Sequence, residues 1–396
     1  MKEQTASKVP QIRFKGFEDE WDEEPILSRI KSVIDFRGRT PKKLGLDWSP
    51  SGYLALSALN VKDGYIDRYA DAHYGDEELY TKWMMGNELH CNQVLFTTEA
   101  PMGNVAQIPD IQKYILSQRT IAFVTDAARL SEDYLAVLLK SPNVFGTLLA
   151  RSSGGTAKGV SQKSLSSIYV RVSDALSEQT QIGGFFRELD RLIGLHQRKH
   201  DKLVTLKKAM LQKMFPQPGA TTPEIRFKGF IVDWVEKKLE DLIELGSGRD
   251  YKHLSSGDVP VYGTGGYMLS VNESLSASMD AIGIGRKGTI DKPFILKAPF
   301  WTVDTLFYAI PKAENYLNFV YCIFQKIDWR KRDESTGVPS LSKVAINGIS
   351  ILSTTPQEQQ KLGTYFRTLD ELISQHATQL QKLKQLKSAC LEKMFV

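Results

Sequence analysis

Between residues 177 and 215 apolar side chains recur at steps of three and four. They run through Phe186, Leu189 and Ile193, past His196, to Leu203, Leu206 and Met210. The stripe returns between 357 and 395 as Phe366, Leu369, Ile373, His376, Leu383, Leu386 and Cys390. This spacing lines one face of an amphipathic helix. Displaced by 180 residues, the two runs are identical at 19 of 39 positions, from Glu178/Glu358 and Gln179/Gln359 to a shared Lys-Met-Phe ending. Each run is expected to be a single long helix whose seam suits the other, so the two should pair. At a rise of about 1.5 Å per residue, such a helix is about 58 Å long. Those are the dimensions of a spacer.

A second repeat frames what is spaced. PQIRFKGFEDEW (10–21) recurs as PEIRFKGFIVDW (223–234), identical at eight of twelve positions. The order is therefore an N-terminal marker segment (1–21), a variable segment (22–176), the first helix (177–215), a Pro/Gly linker with the repeated marker (216–234), a second variable segment (235–356) and the second helix (357–396). Two copies are too few for a solenoid, and an internal duplication with pseudo-two-fold symmetry is expected. The variable segments read as mixed α/β. In the first, strand-like runs follow the loop DFRGRTPK (35–42): 52–59, NQVLFTT (92–98) and 120–124. SEDYLAVLLK (131–140) is helical, with Ser131 as its N-cap. The second has LGSGRDY (245–251), VPVYGTGGYM (259–268), DAIGIGRKGTID (280–291), WTVDTLFYAI (301–310) and the helical NYLNFVYCIFQKI (315–327). Each closes alike, with a basic Ser/Thr/Gly stretch (151–161, 329–342) and a short strand (168–172, 349–352) before Glu-Gln and the long helix. Markers and helices match while the segments between them diverge. Like parts do one job twice, and unlike parts do two versions of a job.

Composition adds bounds. The chain has 396 residues, enough for two or more domains with their own cores, and its 42% hydrophobic and 24% charged content is ordinary for a soluble protein. No apolar run reaches membrane-spanning length, and the N-terminus lacks the apolar stretch of a signal peptide. Cys91, Cys322 and Cys390 are unclustered, as expected of free thiols in a reducing cytoplasm rather than of a disulfide framework or a zinc site. The formal charge of +5 favours a nucleic-acid partner only if it is gathered on one face.

Catalytic motifs are missing. Gly283-x-Gly285-x-x-Gly288 matches a dinucleotide fingerprint in letters, but the β-branched residues and Pro293 that follow argue for strand and turn instead of the helix this site needs. There is no GxxxxGK[ST], HExxH, GxSxG or Asp/Asn-Pro-Pro-aromatic motif. His196 and His376 occupy equivalent seam positions and read as packed histidines. What stands out instead is a set of basic, Gly-rich loops: Arg37, Arg39, Thr40, Lys42 and Lys43; Arg151 and Lys158; Arg249 and Lys252; Tyr262 and Thr264; Arg286 and Lys287; Arg330, Lys331 and Arg332. Such residues suit phosphate contacts and, presented from loops, readout of guanine edges. They are the candidate DNA-binding residues.

With these features assembled, the sequence resembles the specificity subunits of type I restriction–modification systems over essentially its whole length. The PxIRFKGFxxxW markers, GRTP (38–41), NQVLFTTEAPMGNVA (92–106), PVYGTGGYM (260–268) and the two Glu-Gln-anchored helices carry the likeness. It implies two target recognition domains joined by an antiparallel coiled coil, reading a bipartite, asymmetric site in double-stranded DNA. It implies that this chain is non-catalytic and carries no cofactor or metal. S-adenosylmethionine would sit on two modification subunits that methylate adenine N6, and ATP and magnesium on two restriction subunits where the system has them. A cytoplasmic, membrane-free location follows. Leu176 departs from the family's usual proline before Glu-Gln, which the second copy keeps as Pro356. The equivalent, outward-facing pairs Arg187/Arg367, Asp190/Asp370 and Lys207/Lys387 are candidate contacts for the modification subunits. Two other readings stay open: a stand-alone two-headed DNA-binding protein, and an enzyme built on the 283–288 glycines.

Overall fold

The computed structural model describes residues 8–70, 72–152 and 158–396. The basic stretch 151–161 thus lies partly outside the described residues. The chain divides into two compact units, residues 1–196 with 379–396, and residues 197–378. Both boundaries fall within a long helix.

Unit 1 begins with β1 (Asp22–Pro25), β2 (Ile30–Asp35), β3 (Tyr53–Leu56), β4 (Val61–Lys62), β5 (Tyr65–Ile66), β6 (Tyr74–Gly75) and α1 (Glu77–Met84). It continues with β7 (Val94–Thr97), β8 (Val105–Gln107), β9 (Ile115–Leu116), β10 (Thr120–Thr125), α2 (Glu132–Leu138), α3 (Pro142–Ala150), α4 (Gln162–Ser166), β11 (Tyr169–Val172) and the start of α5 (Leu176–Lys213). Its main sheet is antiparallel in the order β2-β10-β7-β8. Smaller sheets are β6-β3-β9, in which β3 and β9 run parallel, β1-β11 and β4-β5. Strands β7 and β10 are apolar because one face of the sheet packs on α2 and the other on α1, so Val94, Leu95, Phe96, Ile121, Ala122 and Phe123 are all buried.

Unit 2 repeats this plan with other residues. Its elements are β12 (Val235–Lys238), α6 (Leu239–Leu242), β13 (Ile243–Ser247), β14 (Ser256–Gly263), β15 (Gly266–Val271), β16 (Ala281–Gly285), β17 (Phe294–Leu296), β18 (Trp301–Thr302), β19 (Leu306–Pro311), α7 (Leu317–Lys326), α8 (Lys343–Asn347), β20 (Ser350–Ser353) and α9 (Pro356–Lys393). The sheet order β13-β19-β16-β17 matches that of unit 1, as do β15-β14-β18 with one parallel pair, and β12-β20. Helix α1, α3 and the β4-β5 hairpin have no counterpart and account for much of the longer first segment. The fold is an internally duplicated mixed α/β structure.

The repeated residues build the joint at which each unit closes. Arg13 of the first marker donates to both carboxylate oxygens of Glu178 at 2.6 and 2.9 Å, and Trp21 Nε1 donates to the same carboxylate at 3.2 Å. In unit 2, Arg226 donates to Glu358 at 2.8 Å through two nitrogens, and the Thr354 hydroxyl replaces the tryptophan as third donor. The neighbouring glutamines cap the packed helix. Gln179 Oε1 accepts from the backbone N–H of Ser131 ahead of α2, and Gln359 Oε1 from that of Tyr316 ahead of α7. Ser131 does sit at the N-cap, but its hydroxyl makes no cap bond; Gln179 serves the N–H of Ser131 itself. Glycine allows the close crossing. A Cβ at Gly183 would stand 2.6 to 2.8 Å from Asp133 and the Tyr134 backbone, and one at Gly363 3.0 Å from Phe319 N.

The Lys-Met-Phe endings close the cores. Phe395, just beyond α9, packs against Trp21, Tyr134 and Phe186 of unit 1 with ring centroids 5.7 to 6.2 Å apart. Phe215, just beyond α5, packs against Trp234, Phe319 and Phe366 of unit 2 at 5.5 to 6.0 Å. The marker is drawn in beside each ending, with Ile12 N donating to Lys393 O and Ile225 N to Lys213 O. The end of α9 therefore lies antiparallel to the start of α5 in unit 1, and the end of α5 antiparallel to the start of α9 in unit 2. Both helices begin and end slightly earlier than the spacing suggests. Pro356 takes the first helical position, where its missing N–H costs nothing, and Leu176 takes the equivalent position without it.

Two tests follow. Gly183→Ala should destabilise unit 1 by about 1–3 kcal/mol through overpacking, whereas Gly184→Ala, with open space around its Cβ, should be neutral or stabilising in the helix; thermal denaturation of both variants checks this. Burial pushes the Glu178 carboxyl up, but the Arg13 guanidinium, with Ser173 and Trp21, outweighs it and holds the group below the usual carboxylate range. A depressed carboxyl contributes stability above its unfolded value, about 4.3, and loses it as pH falls through the folded value. Acid should therefore weaken the wild type below about pH 4.3, and Glu178→Gln should flatten that part of the stability profile.

Candidate nucleic-acid interface

In each unit, four loops meet at one edge of the main sheet. In unit 1 these are the loop after β2, the turn after β7, the turn 117–119 between β9 and β10, and residues 158–160. Thr98 N donates to Arg119 O at 2.8 Å, Val160 N to Thr98 O at 2.9 Å, and the Gln118 side chain to Arg39 O. In unit 2 Arg286 N donates to Thr305 O at 2.8 Å, Leu341 N to Arg286 O at 2.9 Å, and Arg249 N to Thr302 O at 2.9 Å. Two of these links are the same main-chain bonds in both units, while the third is made by the Gln118 side chain in unit 1 and by the Arg249 main chain in unit 2. Gly248 permits it in unit 2, since a Cβ there would stand 1.9 Å from Val303 O.

The structure brings most of the sequence-predicted DNA-binding residues to these loops and gives several of them internal partners. Arg37 donates to Asp35 at 2.8 Å. Arg39 lies 4.3 Å from the centroid of the Phe36 ring and donates to Trp83 O, and Thr40 caps the turn that follows by accepting from Lys43 N. Arg39 and Thr40 thus hold the loop's own shape. Lys42 and Lys158 are exposed, and Arg151 is tied to Ser167. In unit 2 Arg249, Lys252, Arg286, Lys287 and Arg332 are exposed, while Arg330 pairs with Asp291 at 2.6 Å and Lys331 with Asp328 at 3.2 Å. Half-buried Tyr262 packs on Tyr267 and Phe294, and Val303 N donates to its carbonyl. Thr264, also half-buried, follows at the β14–β15 turn. Asp333 fastens the 333–340 loop: the backbone N–H groups of Ser340 and Ser335, with the Ser335 hydroxyl, hold its carboxyl below the usual range. Sequence reasoning missed Arg119, which pairs with Glu99 at 2.7 Å in the turn facing Arg39. Nothing in its own spacing marks it, because its neighbours come from other strands.

The 283–288 glycines lie in strand β16 and the turn after it, not at a helix N-terminus, so no dinucleotide site forms there. Among the described residues no group of His, Cys, Asp and Glu could hold a metal ion. Cys322 and Cys390 are buried, Cys91 is half-buried, and none is disulfide-bonded. No helix is long and apolar enough to cross a membrane.

Four of the six helix residues expected to face outward do not. Lys387 pairs with Asp190 at 2.6 Å in unit 1, and Lys207 with Asp370 at 2.5 Å in unit 2. These reciprocal pairs lie in the helix seam, with the lysine stems largely covered. The seam passes through Leu203, Lys207, Met210 and Leu211, and through Leu383, Lys387, Cys390 and Leu391, so Leu206 and Leu386 are exposed rather than buried. Counted in sevens from Phe186 and Ile193, or from Phe366 and Ile373, the seam reaches Lys207 and Lys387, one position beyond Leu206 and Leu386. Arg187 and Arg367 are exposed, although Arg187 pairs with Asp133 at 2.7 Å and Arg367 with Glu371 at 3.7 Å.

The sequence matches the family described as "Type I restriction modification DNA specificity domain" over residues 27–205 and again over 231–385. The chain belongs to that family, whose members recognise DNA and are generally non-catalytic. Among solved structures it resembles the S subunit of a type I restriction-modification system from M. genitalium, with a TM-score of 0.73 at 18% identity, covering 98% of this chain and 99% of that one. A chain from a structure on complex assembly and conformational transition of the type I R-M system gives 0.45 at 14% identity (94% and 96% covered). The HsdS subunit from Thermoanaerobacter tengcongensis gives 0.41 at 14% identity (95% and 96% covered). At these identities the likeness concerns the fold. Among curated proteins, no sequence matches.

The seam pairs make a direct prediction. Asp190→Lys should destabilise unit 1 by about 1 kcal/mol, and adding Lys387→Asp should recover most of that loss. Thermal melts of the two single variants and the double variant complete the cycle.

Proposed function

We propose that this chain reads a bipartite, asymmetric site in double-stranded DNA through its two recognition domains and directs chemistry carried out on other chains. One observation carries the reading: the two units share strand order, loop wiring and closing joint, yet present different side chains on the loops that meet at the sheet edge. Equal frames with unlike loops suit two unlike half-sites. The exposed cations and hydroxyls on those loops have the chemistry for phosphate and base-edge contacts, and the chain lacks every catalytic motif sought in it.

The partners we propose are two modification subunits that carry S-adenosylmethionine and methylate adenine N6, joined by two restriction subunits with ATP and magnesium where the system has them. The work is cytoplasmic, where the DNA is. Arg187 and Arg367 are the remaining equivalent, exposed positions at which two like partners would find like surfaces.

The expected outcome is a new N6-methyladenine motif, in two unlike parts with a fixed gap, when a host expresses the chain with its modification subunit and not with that subunit alone. Single-molecule sequencing reads this directly. Replacing residues 22–176 with another domain of the family should change one part of the motif and leave the other. A stable complex without methylation would refute the specificity role. Sequence-specific binding by the isolated chain, with no complex formed, would point to a stand-alone DNA-binding protein.

A further inference from the structure

Main-chain bonds at the two sheet edges put residues of the units in one-to-one correspondence. Thr98 N donates to Arg119 O and Val160 N to Thr98 O, just as Arg286 N donates to Thr305 O and Leu341 N to Arg286 O. Thr98 therefore matches Arg286, Arg119 matches Thr305, and Val160 matches Leu341. The antiparallel bridges one residue further on agree, since Glu99 pairs with Gly159 and Lys287 with Ser340. Positions 99 and 287 are thus one place in a repeated frame, at the turn that follows the strands β7 and β16. One holds a carboxylate and the other an ammonium.

The residue across the turn changes with them. In unit 1 Arg119 pairs with the Glu99 carboxylate at 2.7 Å, and the two side chains remain 57% and 44% exposed. In unit 2 Thr305 stands in place of Arg119, and Lys287 is exposed with no acid paired to it among the described residues. Both edges carry paired and exposed cations, so the contrast lies in the chemistry of one position and not in overall charge. A carboxylate brought alone to DNA is repelled by the phosphates. With Arg119 beside it, Glu99 arrives as a neutral pair. Its oxygens accept hydrogen bonds and donate none, so its complement at a base edge is an exocyclic amino group, N4 of cytosine or N6 of adenine. Lysine has three donors and no acceptor, and its complement is O6 and N7 of guanine. Resting on the proposal that these loops face DNA, we infer that Glu99 and Lys287 are specificity-determining residues at equivalent places in the two half-sites. Glu99 selects an amino group, and Lys287 selects guanine.

The test uses the full chain with its modification subunit and reads the methylated motif by single-molecule sequencing. The part read by unit 1 is the one that changes when residues 22–176 are replaced. Glu99→Ala should make one base pair of that part degenerate, and discrimination there, measured as methylation of matched against substituted duplexes, should fall about tenfold. Lys287→Ala should do the same at one guanine of the other part. Glu99→Gln keeps the shape and adds a donor, so it should retain a required adenine but replace a required cytosine by adenine; it also carries the test if Glu99→Ala lowers the melting temperature of the complex. Arg119→Gln should slow methylation while keeping the motif. Degeneracy in Arg119→Gln but not in Glu99→Ala would give the contact to Arg119 and overturn the role of Glu99. An unchanged motif in Glu99→Ala or Lys287→Ala overturns the role of that residue and leaves the two-domain reading intact, and a second part with no G·C pair overturns that of Lys287 outright. A wild-type complex that yields no motif would overturn the two-domain reading itself.

Discussion

Each long helix starts in one hydrophobic core and finishes in the other. Phe186 and Phe215 lie on the same helical run, yet Phe186 packs with Phe395 in unit 1 and Phe215 packs with Phe366 in unit 2. Neither unit has a complete core without the end of the helix that began in its counterpart. The marker peptides depend on this exchange, because Ile12 and Ile225 bond to the last carbonyls of the arriving helices. So does the Glu-Arg joint, since Glu178 and Glu358 sit where marker, helix start and tryptophan converge on that core. Removing either terminal phenylalanine would open a cavity costing about 3–5 kcal/mol at the point where all these parts meet.

The internal repeats acquire their meaning from the same joint. Arg13, Trp21, Glu178, Gln179, Gly183, Phe186 and Phe395 recur as Arg226, Trp234, Glu358, Gln359, Gly363, Phe366 and Phe215, and nearly all of them are buried. They hold a marker, cap a helix, permit a close crossing or fill a core. The residues free to differ are those on the loops at the sheet edge, which each unit holds by main-chain hydrogen bonds and by side-chain contacts of its own, through Arg39, Thr40 and Gln118 in unit 1 and Asp333 in unit 2. That separation between a repeated frame and differing loops is what, on the function proposed above, lets one architecture serve two different half-sites.

Lys207 and Lys387 show a second use of the repeat. Reciprocal lysine–aspartate pairs, one in each unit, place a charged contact in an otherwise apolar seam, and such contacts specify register more than they stabilise. A slip of the helices would break both pairs, leaving Asp190 only Lys140, 4.0 Å away. The electrostatics of the sheet edges follow a different logic. There each unit pairs two of its cations with acids of its own: Arg37 with Asp35 and Arg119 with Glu99, Arg330 with Asp291 and Lys331 with Asp328.

The sequence alone determined the duplication, both long helices, the linker, the mixed α/β character of the segments between them and the absence of a nucleotide loop. These rest on periodicity, identity at fixed displacement and turn chemistry, all of them local properties. It also located most of the basic loops, because Gly beside Arg and Lys is visible in a short window. Only the tertiary structure decided which cations are free, since the partners of Arg119 and Arg330 lie 20 and 39 residues away on other loops. Likewise, Lys207 and Lys387 fall on the heptad row of Phe186 and Phe366 but read as surface residues by their charge, and became seam residues only when the partner helix supplied Asp370 and Asp190. A heptad pattern ranks residues by hydrophobicity, but which face is covered depends on crossing geometry and on charges contributed by a segment more than 160 residues distant.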